Sequence, residues 1–83
     1  MLEIKPNCEC CDRDLPPNTR DAFICSYECT FCIACKSKLE ARCPNCYGEL
    51  VRRPVRPVAG PAGGLTKHPA STVRKLREGG CDF

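Results

Sequence analysis

A small metal-stabilised α+β domain is what this chain predicts, on three observations. Eight of its ten cysteines fall into four pairs between positions 8 and 46: Cys8 and Cys11, Cys25 and Cys29, Cys32 and Cys35, Cys43 and Cys46. The 83 residues hold few apolar side chains outside those cysteines. A domain of that size buries only about 60% of the surface its unfolded chain exposes, so something besides a core must supply folding free energy. The opening Met1 to Pro6 is neither basic nor followed by an apolar stretch, and no run approaches the roughly 18 apolar residues of a membrane span. Disulfide frameworks belong to exported chains, whereas paired cysteine knuckles in a reducing compartment point to metal. The expectation is a cytoplasmic protein, off the membrane, with two structural Zn2+ ions. Structural zinc contributes about 10–16 kcal/mol to small peptide sites near neutral pH, enough to order a loop-rich chain.

The elements follow in order. Pro16-Pro17-Asn18 predicts a turn and Ala22-Phe23-Ile24-Cys25 a short strand, the start of a short hairpin. From Ile33 to Arg42 the chain has Ala, Lys, Leu and Glu and no breaker, which predicts one short helix starting in the knuckle of Cys32 and Cys35. Pro44 keeps it from running past Cys43. After Gly48, Glu49-Leu50-Val51 suits a closing strand. Composition changes at Arg52-Arg53-Pro54, so the chain divides into a zinc-binding domain at 1–53 and a Pro/Gly-rich, basic, flexible and disordered tail at 54–83. Within that tail Ser71 caps at most one turn of helix through Val73, Leu76 and Arg77, stopped by Gly79-Gly80.

Charge follows the same division. Residues 1–50 carry six basic and eight acidic side chains, a formal −2, and residues 51–83 carry seven basic and two acidic, a formal +5. Two zinc ions on eight thiolates add −4 to the head, so a polyanion would meet the tail first.

A C-x2-C turn points two thiolates at one ion while its amides hydrogen-bond the sulfurs, and a tetrahedral zinc needs two such half-sites. Four half-sites are present, and spacing alone leaves open whether they pair in sequence or interleave. Cys29, Cys32, Cys35 and Cys43-Pro44 echo a bacterial iron–sulfur run, but the last gap is seven residues where that run has three. Cys10 reads as a thiol pointing out of its knuckle, Cys81 as an exposed free thiol and His68 as a solvated linker residue. Arg52-Arg53-Pro54-Val55-Arg56-Pro57 reads as a solvated linker, a polyproline-II ligand or a phosphate-contacting arm, and has no aromatics for base stacking.

The order of the eight cysteines resembles the RING finger family, a treble-clef-related cross-brace. Phe31 before Cys32, Leu15 four residues after Cys11, and Cys43-Pro44-Asn45-Cys46 match its aromatic, apolar and closing C-P-x-C positions, whereas Cys29 stands where that family usually has His. The stretch from Met1 to Cys11 also resembles a family of short bacterial cysteine-rich proteins of unknown function. The RING resemblance implies interleaved sites, with Cys8, Cys11, Cys32 and Cys35 on one ion and Cys25, Cys29, Cys43 and Cys46 on the other. It also implies a groove for a ubiquitin-conjugating partner. Leu39 and Pro44 match that groove, but Cys10 replaces its usual apolar residue and Tyr47 its usual cation.

A four-thiolate zinc has no open position for water, and no nucleophile stands beside a base, so no enzymatic activity is expected. The reading is a RING-like interaction module, a monomer, acting as a protein-binding adaptor. The alternative is a nucleic-acid-associated regulator using the basic tail, and ubiquitin-ligase-type activity ranks below both.

Overall fold

The computed structural model describes residues 2–81. It is a small α+β structure with a three-stranded antiparallel sheet, two short helices and two cysteine clusters. Strand β1 (Ala22–Ile24) forms a hairpin with β2 (Thr30–Cys32), and α1 (Ile33–Lys38) follows directly. Strand β3 (Val51–Arg52) joins the other edge of β1, giving the order β2-β1-β3, and α2 (Gly64–Lys67) lies in the C-terminal segment. Thr19 N–H donates to the Pro16 carbonyl at 3.0 Å, closing the turn expected there.

The hairpin is the positioning device. Its register pairs Ala22 with Cys32, Phe23 with Phe31 and Ile24 with Thr30. Cys25 and Cys29 therefore stand at its tip, where Cys25 N–H donates to the Cys29 carbonyl at 3.3 Å, and Cys32 closes its far end. A strand rises about 3.3 Å per residue, so the three residues from Cys29 to Cys32 set these neighbours in sequence roughly 10 Å apart.

Cys32 caps α1, its sulfur accepting from Cys35 N–H. The helix is shorter than its composition suggests because Glu40 and Ala41 take φ of 55° and 60°, in the left-handed region. That reversal lets Leu50 N–H reach the Ala41 carbonyl at 2.8 Å, just before the buried Cys43. The expected closing strand starts two residues late, with β3 at Val51–Arg52 and Glu49 only bridging to Arg42.

The core is thin. Ile4, Leu15, Ala22, Phe31 and Leu50 are buried with the sulfurs of Cys8, Cys32 and Cys43. Phe23 lies under two cations, Lys36 Nζ at 5.0 Å and the Arg52 guanidinium at 5.7 Å from its ring centre.

Arg53 belongs to this core and not to a phosphate-contacting arm. It is 1% exposed, its N–H continues the β3 ladder to the Ala22 carbonyl at 2.8 Å, and its guanidinium donates to the carbonyls of Lys5 (2.8 Å), Pro16 (3.1 Å) and Leu15 (3.4 Å). Burial pushes its pKa down from the ordinary arginine value. A fork of five donors is the side chain that can satisfy three carbonyls at once.

The residues after Arg53 run along the head. Arg56 donates to the carbonyls of Leu2 at 2.6 Å and His68 at 2.8 Å, and Ser71 N–H donates to the Ile4 carbonyl at 2.9 Å. Residues 71–77 are not helical: Lys75 instead pairs its backbone with the buried Asn7, whose Nδ2 donates to the Lys75 carbonyl at 2.9 Å and whose Oδ1 accepts from Lys75 N–H at 3.4 Å. The one turn of helix lies earlier, at α2.

Arg53→Met should lower stability by about 2–4 kcal/mol, because it strips three carbonyls of their donor. Denaturant unfolding of the metal-loaded chain checks this, and Arg53→Lys should recover part of the loss.

Candidate metal centre

The sulfurs of Cys8, Cys11, Cys32 and Cys35 lie within 4.8 Å of one another, and so do those of Cys25, Cys43 and Cys46. These groups of cysteines could hold two metal ions. Cys29 stands outside the second set, with the Cys25 thiol and the Asn45 side chain among the neighbours that shift its proton affinity. The extra residue of its C-x3-C knuckle accounts for the offset.

Two of the knuckles are built alike. Asp12 N–H donates to the Cys8 carbonyl at 3.0 Å and Tyr47 N–H to the Cys43 carbonyl at 2.9 Å, with Asp12 and Tyr47 at φ of 62° and 63°. In each, the amide two residues after the leading cysteine donates to its sulfur: Cys10 N–H to Cys8 Sγ and Asn45 N–H to Cys43 Sγ, both at 3.4 Å. Tyr27 N–H does the same for Cys25 Sγ at 3.3 Å, and at Cys32 the amide three residues on, Cys35 N–H, donates to its Sγ at 3.5 Å. Amides aimed at sulfur favour thiolate over thiol and hold it in place before an ion arrives. A tetrahedral ion with bonds of about 2.3 Å puts its sulfurs roughly 3.8 Å apart. Cys11 Sγ and Cys32 Sγ are 3.6 Å apart.

Glu9 ties the first knuckle to the sheet. Its N–H donates to the Thr30 carbonyl at 3.0 Å, its carboxylate accepts from Thr30 N–H at 2.7 Å, and Lys5 Nζ lies 3.5 Å from the same oxygen. The knuckle of Cys8 and Cys11 is thus fastened to β2, the strand that ends in Cys32. On the other side Val51 pairs with Ile24, which brings the chain after Cys46 alongside Cys25.

Crowding thiols together shifts their proton affinities in opposite directions. Burial, then the neighbouring Cys32 and Cys8 thiols, push Cys35 well above the ordinary cysteine range, and burial pushes Cys43 up to about 12. Cys32 is raised by burial but more than compensated by the Cys35 amide and the Cys11 thiol, which together lower it to about 7.

The two remaining cysteines do not stand free. Cys10 and Cys81 are joined in a disulfide, Cα to Cα 5.5 Å, across 71 positions of sequence. Residues 74–81 hold Cys81 there, which the readings of Cys10 as an outward thiol and Cys81 as a free one did not anticipate. Arg77 N–H donates to the Glu9 carbonyl at 2.7 Å, and its guanidinium to Asn45 Oδ1 at 2.8 Å and the Pro44 carbonyl at 3.3 Å. Arg74 pairs with Asp14 at 2.7 Å and Asp12 at 2.8 Å. His68 is half-buried and offers its backbone carbonyl to Arg56.

Sequence reasoning gave no role to Asn7, Glu9 and Asn45, and it placed the buried Arg53 in a linker or arm. Their signal is adjacency alone: Asn7 precedes a cysteine, and Glu9 and Asn45 lie inside knuckles.

Tyr47→Gly should stabilise the metal-loaded protein by about 0.5–1 kcal/mol, since the left-handed conformation strains a tyrosine that is 75% exposed and packs little. Chemical unfolding reads it. Metal retention should weaken as pH falls, because in the metal-free chain Cys35 and Cys43 keep their protons through neutrality and an ion must displace them. Below about pH 7 the Cys32 proton must be displaced as well, so the dependence should steepen there. Competition with a chelator of known proton affinity measures the slope, and a flat profile would contradict it.

A family model described as protein of unknown function (DUF1272) matches residues 1–56. An uncharacterized protein of Rhizobium meliloti (strain 1021) is 62% identical over 82 residues, covering 98% of this chain and 93% of its own length. No solved structure matches the chain at a significant level.

Proposed function

The chain belongs to the DUF1272 family of short cysteine-rich proteins, and on that premise we propose that it is a non-catalytic, RING-like zinc module that serves as a protein-binding adaptor. One observation carries the metal reading: sulfurs from knuckles far apart in sequence gather in interleaved sets, close enough for a single tetrahedral ion in each. A cluster that placed every cysteine on its own iron would spread the sulfurs wider. Zinc suits a closed set of thiolates, having neither redox chemistry nor a preferred geometry beyond the tetrahedron. Cys8, Cys11, Cys32 and Cys35 would hold one ion. Cys25, Cys43 and Cys46 would hold the other, with Cys29 as the fourth thiolate after a small shift of its knuckle. A closed site leaves no position for substrate water, so the ions brace the chain.

The adaptor reading rests on what the second cluster presents outward. Tyr27 and Tyr47 follow Cys25 and Cys46 on its loops and are each 75% exposed. Exposed aromatic residues are enriched at protein interfaces. The nucleic-acid reading loses support from the arginines that would carry it, since Arg53, Arg56, Arg74 and Arg77 are engaged within the chain. The conjugating-enzyme groove loses support likewise. Cys10 is bonded to Cys81, and the Pro44 carbonyl accepts from Arg77.

Native mass spectrometry should find two zinc ions per chain in a colourless protein that unfolds on chelation. Cys→Ser at Cys11 should release the first ion and at Cys43 the second, whereas visible charge-transfer bands would replace zinc with iron. Capture of a partner by the immobilised chain should survive raised salt and drop at least tenfold in Tyr27→Glu or Tyr47→Glu. Loss of capture with salt alone would favour phosphate contacts instead.

A further inference from the structure

Ten cysteines divide into two populations, and only one of them is gathered into clusters. Cys10 sits between Cys8 and Cys11 yet its sulfur bonds elsewhere, to Cys81. Polar contacts hold the segment that delivers Cys81: Arg74 to Asp12 and Asp14, Lys75 to Asn7, and Arg77 to Glu9, Pro44 and Asn45. Arg77 thereby touches both knuckle loops, that of Cys8 and Cys11 through Glu9 and that of Cys43 and Cys46 through Pro44 and Asn45. After it, Gly80 N–H donates to the Arg77 carbonyl at 3.0 Å, and Gly79 and Gly80 take φ of 80° and 73°. Two successive residues in the left-handed region turn the chain so that Cys81 meets Cys10, a turn that glycine adopts without strain.

We propose that Cys10 and Cys81 form a reversible thiol–disulfide site that latches residues 74–81 across the face between the two knuckles. Its co-reactants are low-molecular-weight thiols and their disulfides. In closing, the thiolate of one cysteine attacks a sulfur of the small disulfide and releases one small thiol. The second cysteine's thiolate then attacks the protein sulfur of the mixed disulfide and releases another. The protein gives up two electrons and two protons, and the small disulfide becomes two thiols. Opening is the same exchange in reverse.

The argument for reversibility is physical. Eight thiols must stay reduced if the clusters are to take metal, so the bond has to coexist with a thiol pool and exchange with it. The contacts that remain when it opens are solvent-exposed in part, with Arg74 43% exposed. Such pairs are individually weak, which leaves the strap closed with the bond and loosely held without it. Opening uncovers Glu9, Pro44 and Asn45. The case for exchange rests on the metal reading, whereas the bond itself requires only that Cys10 and Cys81 stay outside the clusters, so experiment can separate the two.

The test uses the full, metal-loaded chain equilibrated in glutathione buffers of graded reduced-to-oxidised ratio, then alkylated and peptide-mapped, with amide exchange read in parallel. A linked peptide of Cys10 and Cys81 should appear along one transition, and metal content should stay constant. Exchange over residues 74–81 should be at least tenfold faster in the reduced form. Cys81→Ser should show the fast exchange in every buffer, and Arg77→Ala, which keeps both thiols, should need a several-fold more oxidising ratio to close. Failure of the linked peptide to form at any ratio, pairing of Cys10 or Cys81 with one of the other eight cysteines, or equal exchange in both forms would overturn the latch. A chain that binds no metal yet forms the linked peptide reversibly would overturn the zinc reading and leave the latch standing.

Discussion

The separation of Cys29 from Cys32 by one three-residue strand governs the rest of the structure. Because β2 is extended, the second and third knuckles are driven to opposite ends of the hairpin, and each must find its partners elsewhere in the chain. Cys32 and Cys35 meet the N-terminal knuckle, which Glu9 fastens to Thr30. The tip of the hairpin meets the knuckle that follows α1, brought round by the reversal at Glu40 and Ala41. Each sulfur cluster therefore closes a long loop, which constrains a small chain more than two local loops would.

A core this thin makes polar groups do work that apolar side chains do in larger domains. Arg53 fills space among Lys5, Leu15 and Pro16 and caps their carbonyls in the same stroke. Asn7 does the like at the other side, its amide shared among Cys8, Asp12 and Lys75. Both are buried, and no buried side-chain nitrogen or oxygen among the described residues lacks a hydrogen-bond partner. The cost of burying a cation is offset only by that complete satisfaction. The matched family span, ending at residue 56, takes in Arg53 as part of the same unit.

What was legible in the sequence is what repeats. The knuckles, the strand that starts at Ala22, the helix after Cys32 and the α+β class all follow from cysteine spacing and a few breakers, because a thiolate pair is a local event with a local signature. The gathering of Cys8 and Cys11 with Cys32 and Cys35 was implied only by a resemblance, since spacing carries no information on which loop closes on which. The roles of Arg53 and Arg77 were not legible at all. An arginine written beside prolines looks the same whether it ends in water or on three carbonyls, and only the fold supplies the acceptors. The helix expected around Ser71 failed for a related reason: Asn7 offers the Lys75 backbone a better partner than a single turn of helix can.

The interleaving also sets a problem of timing for a chain made from its N-terminus. Cys25 and Cys29 emerge before Cys32 and Cys35, so the first partners available to Cys8 and Cys11 are the wrong ones. A thiolate pair that captures an ion early would close a sequential ribbon, and leaving it would require thiolate exchange at the metal. What arbitrates is the hairpin, which cannot form until residue 32 has been added and which, once formed, holds Cys29 away from the N-terminal knuckle while presenting Cys32 to it. Three short backbone pairings would thus bias sulfur choice during assembly, and because β2 also carries the buried Thr30, Phe31 and Cys32, weakening it would loosen the final structure as well as slow its formation.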